Sequence, residues 1–335
     1  MRKRHEGRQE PVLEPDLAVI DAHHHLFDRQ TGRYLLGDYL EDVALGHRVV
    51  ASVYVETLAM ARRSGPEHLR PLGEIEFANG VGAMSASGGY GACRVASAIV
   101  GYADLRAGAA VGDLLDQSAS RAPDRYRGVR QVALDGPDPS FRRFITNPPP
   151  SGLLEDPRLL AGLRAVERRE LSFDTAVFHH QLPQLARLAA DHPNLQFVLN
   201  HLGMPYLLDV DDADRAGVFS QWRSALATVA AQPNVACKIG GLGQVFFGFD
   251  FDGREDPVGF LELAAAWRPY VETAVEAFGA ERCMMESNFP VDGRSCGFVP
   301  YWNAMKHIVS AASADDKAAL FHGTAARVYR IELDC

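Results

Sequence analysis

Eight short apolar or β-branched segments recur along this 335-residue chain, and most stretches between them have the periodicity of amphipathic helices. The stretches 159–170, 182–191, 219–231 and 261–278 place apolar residues at steps of three and four. Strand and helix alternating eight times predicts a parallel sheet closed into a (β/α)8 TIM barrel. An open doubly wound sheet is the alternative, although no G-x-G-x-x-G motif follows the first segment. The predicted strands are residues 18–25, 49–56, 95–103, 128–134, 171–179, 196–201, 235–239 and 283–288.

The charge balance of the chain restricts what it can bind. The formal charge is -9 and the isoelectric point is near 5.7, which argues against a nucleic-acid or anionic-membrane surface, because both need a basic face. No apolar stretch runs for 18 residues without interruption, so no membrane span is expected. The five cysteines form no CxxC pair, and a reducing cytoplasmic compartment fits best. These features predict a small-molecule partner.

The length suits one barrel, since this architecture commonly takes about 250 residues as a single unit. We predict a flexible N-terminal arm over residues 1–15 and one catalytic barrel over 16–335, with insertions near 60–92 and 240–258. The first insertion is rich in glycine, which predicts either a mobile lid or a flexible surface loop. The second carries four aromatic residues that line a pocket mouth or pack the loop down: Phe246, Phe247, Phe249 and Phe251.

The first predicted strand ends in a His-x-His pattern. Alternation along a strand places Asp21, His23 and His25 on one face, and Ala22 and His24 on the other. Two imidazoles about 7 Å apart on one face can bind one metal ion or one anionic substrate. Hydrogen-bonded loop histidines are the structural alternative. Active sites of such barrels lie at the C-terminal ends of the strands, where this chain has His25, Glu56, Arg130, His179, His201 and Asn288.

Five segments together resemble the amidohydrolase-2 family of the amidohydrolase superfamily: 20–25, 128–130, 200–205, 234–238 and 282–290. The resemblance extends from about residue 18 to the closing segment 323–329, which is nearly the whole chain. It implies a distorted (β/α)8 barrel. The branch it is most similar to includes sugar lactonases and hydrolases of lactones such as 2-pyrone-4,6-dicarboxylate.

The resemblance also implies a set of metal ligands. His23 and His25 match the His-x-His of the family, His201 matches the histidine of its sixth strand, and His179 is placed like the ligand of the fifth. These imidazoles would hold one divalent ion, zinc or manganese, or would bind the substrate without a metal. Binuclear members have a lysine on the fourth strand, where this chain has Arg130 and Gln131, so a second metal is not expected.

The sequence departs from the family pattern on the eighth strand. Asn288 stands where the family has the aspartate that deprotonates the attacking water, and an amide cannot accept that proton. Asn288 can still orient a water molecule or a substrate carbonyl. Three carboxylates are candidates for the missing base: Glu286 on the same strand face, Glu56 at the end of strand two, and Asp292 beyond strand eight. A salt-bridge or capping role is the alternative for each.

Two cations and two further side chains are candidates for substrate binding. The guanidinium of Arg130 offers a fork to a carboxylate or a lactone oxygen. An interior ion pair with Asp21 or Glu286 is the structural alternative. Lys238 on strand seven would polarise a carbonyl or pair with Glu286, and His179 and Asp292 complete the predicted substrate contacts.

Three functions remain open from the sequence. The first is a hydrolase that opens a lactone or related cyclic ester of a small carboxylic acid or sugar acid by water attack on the carbonyl. The second is a decarboxylase or hydratase of an unsaturated or aromatic acid, and the third is a non-catalytic barrel that binds a small acid. We expect a small acidic substrate and allow for a homo-oligomer.

Overall fold

Eight parallel strands form a nearly closed barrel in a computed structural model, which describes residues 10–30, 32–252 and 254–332. Each strand pairs in parallel with the next along the chain. Backbone hydrogen bonds of 2.8 Å, from His25 to Phe289 and from Asn288 to His23, join the first strand to the segment after the last. The predicted TIM barrel is confirmed. The strands are β1 Val19–His24, β2 Val49–Val55, β3 Arg94–Tyr102, β4 Tyr126–Arg130, β5 Ser172–Thr175, β6 Phe197–Leu199, β7 Val235–Ile239 and β8 Cys283–Met285.

The helices lie between the strands and cover the outside of the barrel. Local signals explain several boundaries: α4 begins after Asp156, whose side chain accepts a hydrogen bond from the Arg158 amide, and it has Pro157 at its first position. The helices are α1 Leu36–Val43, α2 Leu72–Ala86, α3 Val111–Arg121, α4 Pro157–Glu167, α5 Leu182–Asp191, α6 Asp212–Ala230, α7 Phe260–Phe278, α8 Phe298–Ile308, α9 Ala314–Ala318 and α10 Thr324–Tyr329. None of the described helices has the length and hydrophobicity needed to cross a bilayer.

The expectation of a lid or flexible loop is wrong for the middle of the first insertion, because residues 72–86 form helix α2. The buried face of α2 includes Leu72, Ile75, Ala78 and Val81. Two of its three glycines, Gly73 and Gly82, allow close packing. A Cβ on Gly82, for example, would lie 2.6 Å from the guanidinium of Arg125 and 3.1 Å from a backbone oxygen of β3. The second insertion contains the predicted phenylalanines, of which Phe246, Phe247 and Phe251 are buried.

The interior of the barrel is apolar at its N-terminal end. Alternate residues of six strands form a buried cluster with the C-terminal segment, in which Tyr329 is fully buried. Residues 10–14, assigned from the sequence to a loose arm, are hydrogen-bonded to α8 through Asn303 and Lys306. The first nine residues of that predicted arm lie outside the described residues.

The strand β1 does not keep the predicted alternation of faces. Asp21 and His24 both contact Tyr39 of α1, so Asp21 points outward with His24 and not inward with His23. Ala22 belongs to the inner apolar cluster. The register of β1 against β2 shifts between Asp21 and His24, and such an irregularity reverses the faces beyond it. His23 and His25 nevertheless lie together inside the barrel, with their Nε2 atoms 3.2 Å apart.

Asp21 joins β1 to the segment after β8, where the barrel closes. Its carboxylate accepts the Ser287 amide at 2.8 Å, the Ser287 hydroxyl at 2.6 Å and the Tyr39 hydroxyl at 2.9 Å. We expect Asp21→Ala to lower the free energy of unfolding by about 2–4 kcal/mol, because three buried donors lose their acceptor. Urea denaturation measures this. The exposed Asp28→Ala is the control and should shift stability by less than about 0.5 kcal/mol; an equally small effect of Asp21→Ala would contradict the role.

Candidate active site

A cavity of about 240 Å³ opens at the C-terminal ends of the strands. It is lined by five of the six polar residues that the sequence places at strand ends: His25, Glu56, Arg130, His201 and Asn288. The sixth, His179, does not line it. The Nδ1 atom of His179 accepts the Tyr206 amide at 3.1 Å, and burial lowers its pKa to about 4. His179 therefore has a neutral imidazole that supports the loop after β6.

Glu286 lies beneath the cavity between two imidazoles. Its Oε1 is 2.6 Å from Nδ1 of His201, and its Oε2 is 2.8 Å from Nδ1 of His23. Glu286 is fully buried, whereas His201 faces the cavity. A carboxylate accepts hydrogen bonds, so the bond to His201 places the proton on Nδ1 and leaves Nε2 as the free acceptor. Glu286 can thus act on a substrate only through His201.

Two consecutive glycines make room for this pair. A Cβ on Gly240 would lie 2.4 Å from Cγ of Glu286, and a Cβ on Gly241 would lie 2.4 Å from Nδ1 of His201. Gly241 also has a φ of +67°, which other residues rarely adopt. His201 and Asn288 themselves have positive φ values of 53° and 54°. Strained backbone of this kind persists where surrounding contacts determine it, often at functional sites.

The imidazole of His25 is oriented by the backbone. Its Nδ1 donates to the carbonyl of Val55 at 2.9 Å, so its Nε2 is the acceptor beside His23. Burial lowers the pKa of both His23 and His25 well below the usual histidine value, and the nearby Arg130 lowers them further. Both imidazoles are therefore neutral at neutral pH, which is the form that binds a metal ion or accepts a proton.

Arg130 pairs with a partner that the sequence did not suggest. Its Nε donates to Oε1 of Glu56 at 2.7 Å, and one terminal nitrogen donates to the Glu56 carbonyl at 2.6 Å. The alternative of a pair with Asp21 or Glu286 is wrong in its partner, because Asp21 points out of the barrel and Glu286 contacts the imidazoles. The other terminal nitrogen is 3.3 Å from Nε2 of His23. Glu56 and Arg130 thus form an ion pair in the cavity wall.

Lys238 also pairs elsewhere. Its ammonium lies 2.9 Å from Oδ2 of Asp174 on β5, and the Tyr329 hydroxyl donates to the same oxygen at 2.7 Å. All three residues are fully buried, and none lines the cavity. The suggested pairing of Lys238 with Glu286 is therefore wrong. Lys238 still lowers the pKa of His23 through its charge, but this geometry gives it no substrate contact.

Asp292 supports the loop after β8. Its carboxyl accepts the Asn288 side-chain amide at 3.0 Å and the Gly243 backbone amide at 3.2 Å. Burial raises the pKa of Asp292 to about 8. Asn288 lines the cavity, but Asp292 behind it does not. The arrangement matches the capping alternative for Asp292, with Asn288 held in place by it.

Sequence reasoning missed three parts of the site. The loop between β4 and α4 supplies cavity-lining residues from Phe144 to Pro150, and Arg29 reaches the cavity from a hairpin formed by Phe27–Arg29 and Gly32–Tyr34. Glu74, buried in α2, accepts the amides of Thr57 and Leu58 at 2.7 and 3.1 Å. Burial raises the pKa of Glu74. Three prolines were the one available signal for the loop, whereas nothing in the sequence marks Glu74.

The cluster has donors that suit a divalent metal ion. Ligand atoms of His23, His201 and Glu286 lie within 4.8 Å of one another, all buried. Although His23 Nδ1 and Glu286 Oε2 are 2.8 Å apart, neither has a hydrogen-bond partner among the described residues, so both remain available to a cation. Imidazole and carboxylate are ligands that zinc and manganese accept. His25 lies beside this set, whereas the predicted ligand His179 lies outside it.

A model of the amidohydrolase family matches residues 20–331. The chain belongs to the amidohydrolase family. This amidohydrolase is 34% identical to the uncharacterized protein y4mH of Sinorhizobium fredii, over 94% of this chain and 99% of that protein. It is 29% identical to an L-fucono-1,5-lactonase of Burkholderia multivorans, over 93% and 96%. A crystal structure of an amidohydrolase from Burkholderia multivorans with bound zinc has 26% identity and a TM-score of 0.69, covering 94% of this chain and all of that chain. The protein is accordingly a hydrolase.

The space at Gly240 provides a test of the Glu286 position in this amidohydrolase. We expect Gly240→Ala to displace the carboxylate and to lower kcat/KM by on the order of 10–100-fold, the effect of losing a partner that orients a functional histidine. The assay is hydrolysis of whichever substrate the enzyme turns over. Gly217→Ala is the matched control, because a Cβ there meets nothing within 4 Å. Unchanged kcat/KM in Gly240→Ala would show that the enzyme does not depend on the position of the Glu286 carboxylate beside residue 240.

Proposed function

We propose that this amidohydrolase opens a lactone or a related cyclic ester of a small carboxylic acid or sugar acid. The observation that carries the proposal is the hydrogen bond of 2.6 Å between Glu286 and His201, with His201 facing the cavity. It gives the site a carboxylate–imidazole pair where Asn288 cannot act as a base. The relatives named as L-fucono-1,5-lactonases support the same reaction class.

The chain's own residues provide each step of a hydrolysis. Nε2 of His201 takes a proton from the attacking water, while Glu286 holds Nδ1 and stabilises the imidazolium that forms. Arg130 lies in the cavity wall, where the N–H groups that are not bonded to Glu56 donate to the oxyanion of the tetrahedral intermediate. The proton then passes from His201 to the ring oxygen as the acyl–oxygen bond breaks, which leaves a hydroxy acid.

A divalent metal ion fits the same cluster, with His23, His201 and Glu286 as the residues that would hold it. When bound, the ion would supply a Lewis acid for the carbonyl and would lower the pKa of a water molecule. The zinc in a structure of a related amidohydrolase supports this assignment. The neutral state of His23 and His25 suits either a metal or a direct contact with the substrate carbonyl.

A lactone panel with two variants tests the reaction. We expect His201→Ala to lower kcat/KM by about 10²–10⁴-fold, because a general base is lost, and Glu286→Gln to lower it by about 10–100-fold, because the imidazole loses its orienting carboxylate. The exposed His68→Ala is the control. Circular dichroism verifies folding of each variant. Full activity in His201→Ala, or release of carbon dioxide from a candidate acid with no lactone opened, would contradict the proposal.

Metal content decides how water is activated. Mass spectrometry of the untagged protein is compared with a variant carrying both His23→Ala and His25→Ala. About one zinc or manganese per chain, lost in the variant together with activity, assigns activation to the metal. Lactone opening that persists in metal-free protein after chelation assigns it to His201 and Glu286.

A further inference from the structure

Arg29 places a positive charge at the cavity, and none of the described carboxylates forms a salt bridge with it. One terminal nitrogen donates to the Thr146 hydroxyl at 3.1 Å, and the other donates to the carbonyl of Thr57. The guanidinium also lies 5.1 Å from the centre of the Phe27 ring. In residues 10–30, 32–252 and 254–332, these partners are all uncharged. Arg29 is partly buried and lines the same cavity as His25 and His201.

The two other arginines that line the cavity already have carboxylate partners. Arg130 is paired with Glu56 through its Nε at 2.7 Å. Nε and one terminal nitrogen of Arg106 donate to the two carboxylate oxygens of Asp104 at 2.9 and 2.7 Å. Both pairs are internally neutral. Arg29 is therefore the arginine whose charge remains available to a ligand, although the sequence indicated Arg130 as the anchor.

The geometry of Arg29 suits a carboxylate. A guanidinium has five N–H groups, and the hydrogen bonds to Thr57 and Thr146 leave several of them for a ligand. Its planar fork matches the two oxygens of a carboxylate, and such charge-assisted pairs are stronger than neutral hydrogen bonds. The hydrogen bond to Thr57 also fixes the side chain, so that little conformational freedom is lost when a ligand binds.

The rest of the cavity limits the size of the ligand. Its volume of about 240 Å³ lies below the range of ~300–1,000 Å³ that is typical of pockets for drug-sized ligands. Leu134, Phe144 and Phe246 give it an apolar wall. A single ring with one charged substituent satisfies these surroundings, with the ring carbonyl at the imidazoles and the charge at Arg29.

We infer that Arg29 binds a carboxylate of the substrate and that the enzyme prefers acidic monocyclic lactones to neutral ones. The inference rests on the proposed function. Arg29 acts here on substrate affinity and not on the chemical step, because His201, Glu286 and Arg130 carry that step. The effect of removing its charge should accordingly appear in KM.

Paired lactones that differ in one charge provide the test. The probes are γ-butyrolactone γ-carboxylate and its carboxamide, together with the corresponding δ-lactone pair. In Arg29→Met we expect the KM of the carboxylates to rise on the order of 10–100-fold, the equivalent of one charge-assisted hydrogen-bonded contact, with kcat nearly unchanged. The KM of the carboxamides should change less than about twofold, and Arg29→Lys should retain part of the preference.

Two controls separate a specific contact from other effects. Arg33→Met removes the same charge from an exposed position on the same hairpin, outside the cavity lining, and should leave all KM values unchanged. A purely structural role of Arg29, through its bond to Thr146, would raise the KM of carboxylates and carboxamides alike. That result, or equal KM values for both probes in the unmodified enzyme, would overturn the inference.

Binding of the ring-opened product separates this inference from the proposed function. Calorimetry compares hydroxyglutarate with its monoamide in the unmodified protein and in Arg29→Met. If no lactone is opened but hydroxyglutarate binds more tightly than the monoamide and only when Arg29 is present, the proposed function fails and the carboxylate site stands. Lactone opening with no Arg29-dependent binding difference overturns the carboxylate site and leaves the proposed function in place.

Discussion

The carboxylate of Glu286 is the group around which the candidate site is organised. A carboxylate excluded from water is stable only when hydrogen-bond donors or positive charge surround it. His201 donates to this one, and Nδ1 of His23 lies 2.8 Å from its other oxygen. The position of this carboxylate requires a glycine at position 240, since a side chain there would occupy the same space. The Glu286 carboxylate lies two residues before Asn288 in the sequence and contacts the imidazole of His201.

The charged residues inside the barrel alternate in sign from the apolar end to the opening. Asp174 and Lys238 form the deepest pair, Glu286 follows with its imidazoles, and Arg130 with Glu56 lies in the cavity wall. Asp174 and Glu56 thus each have a cationic neighbour, whereas Glu286 is held by the imidazole of His201. Removing one partner of such a pair commonly costs about 3–5 kcal/mol, because the other is left buried and uncompensated. The interior is therefore a connected set of charges that tolerates paired changes better than single ones.

The barrel could be predicted from sequence because its signals are local. The strand β7 begins and ends where the periodicity places it, and parallel strands necessarily bring His25, Arg130 and His201 to one end. Side-chain partners could not be predicted, since Arg130 and Glu56 lie 74 positions apart and meet only in three dimensions. The inward position of Asp21 failed for another reason, because a register irregularity in β1 carries no mark in the amino-acid sequence. Glycines in α2 misled in the same way, because Gly73 and Gly82 serve close packing there.

Three consecutive backbone carbonyls at the C-terminal end of β2 each accept a hydrogen bond from a side chain of the cavity. The carbonyl of Val55 binds His25, that of Glu56 binds Arg130, and that of Thr57 binds Arg29. Glu74 fixes the end of this segment from the outside of the barrel. An insertion or deletion of one residue here would therefore displace the hydrogen-bond acceptors of all three side chains at once. The loop between β4 and α4 lines the same cavity and is tied to this alignment at one point, the hydrogen bond from Arg29 to the Thr146 hydroxyl.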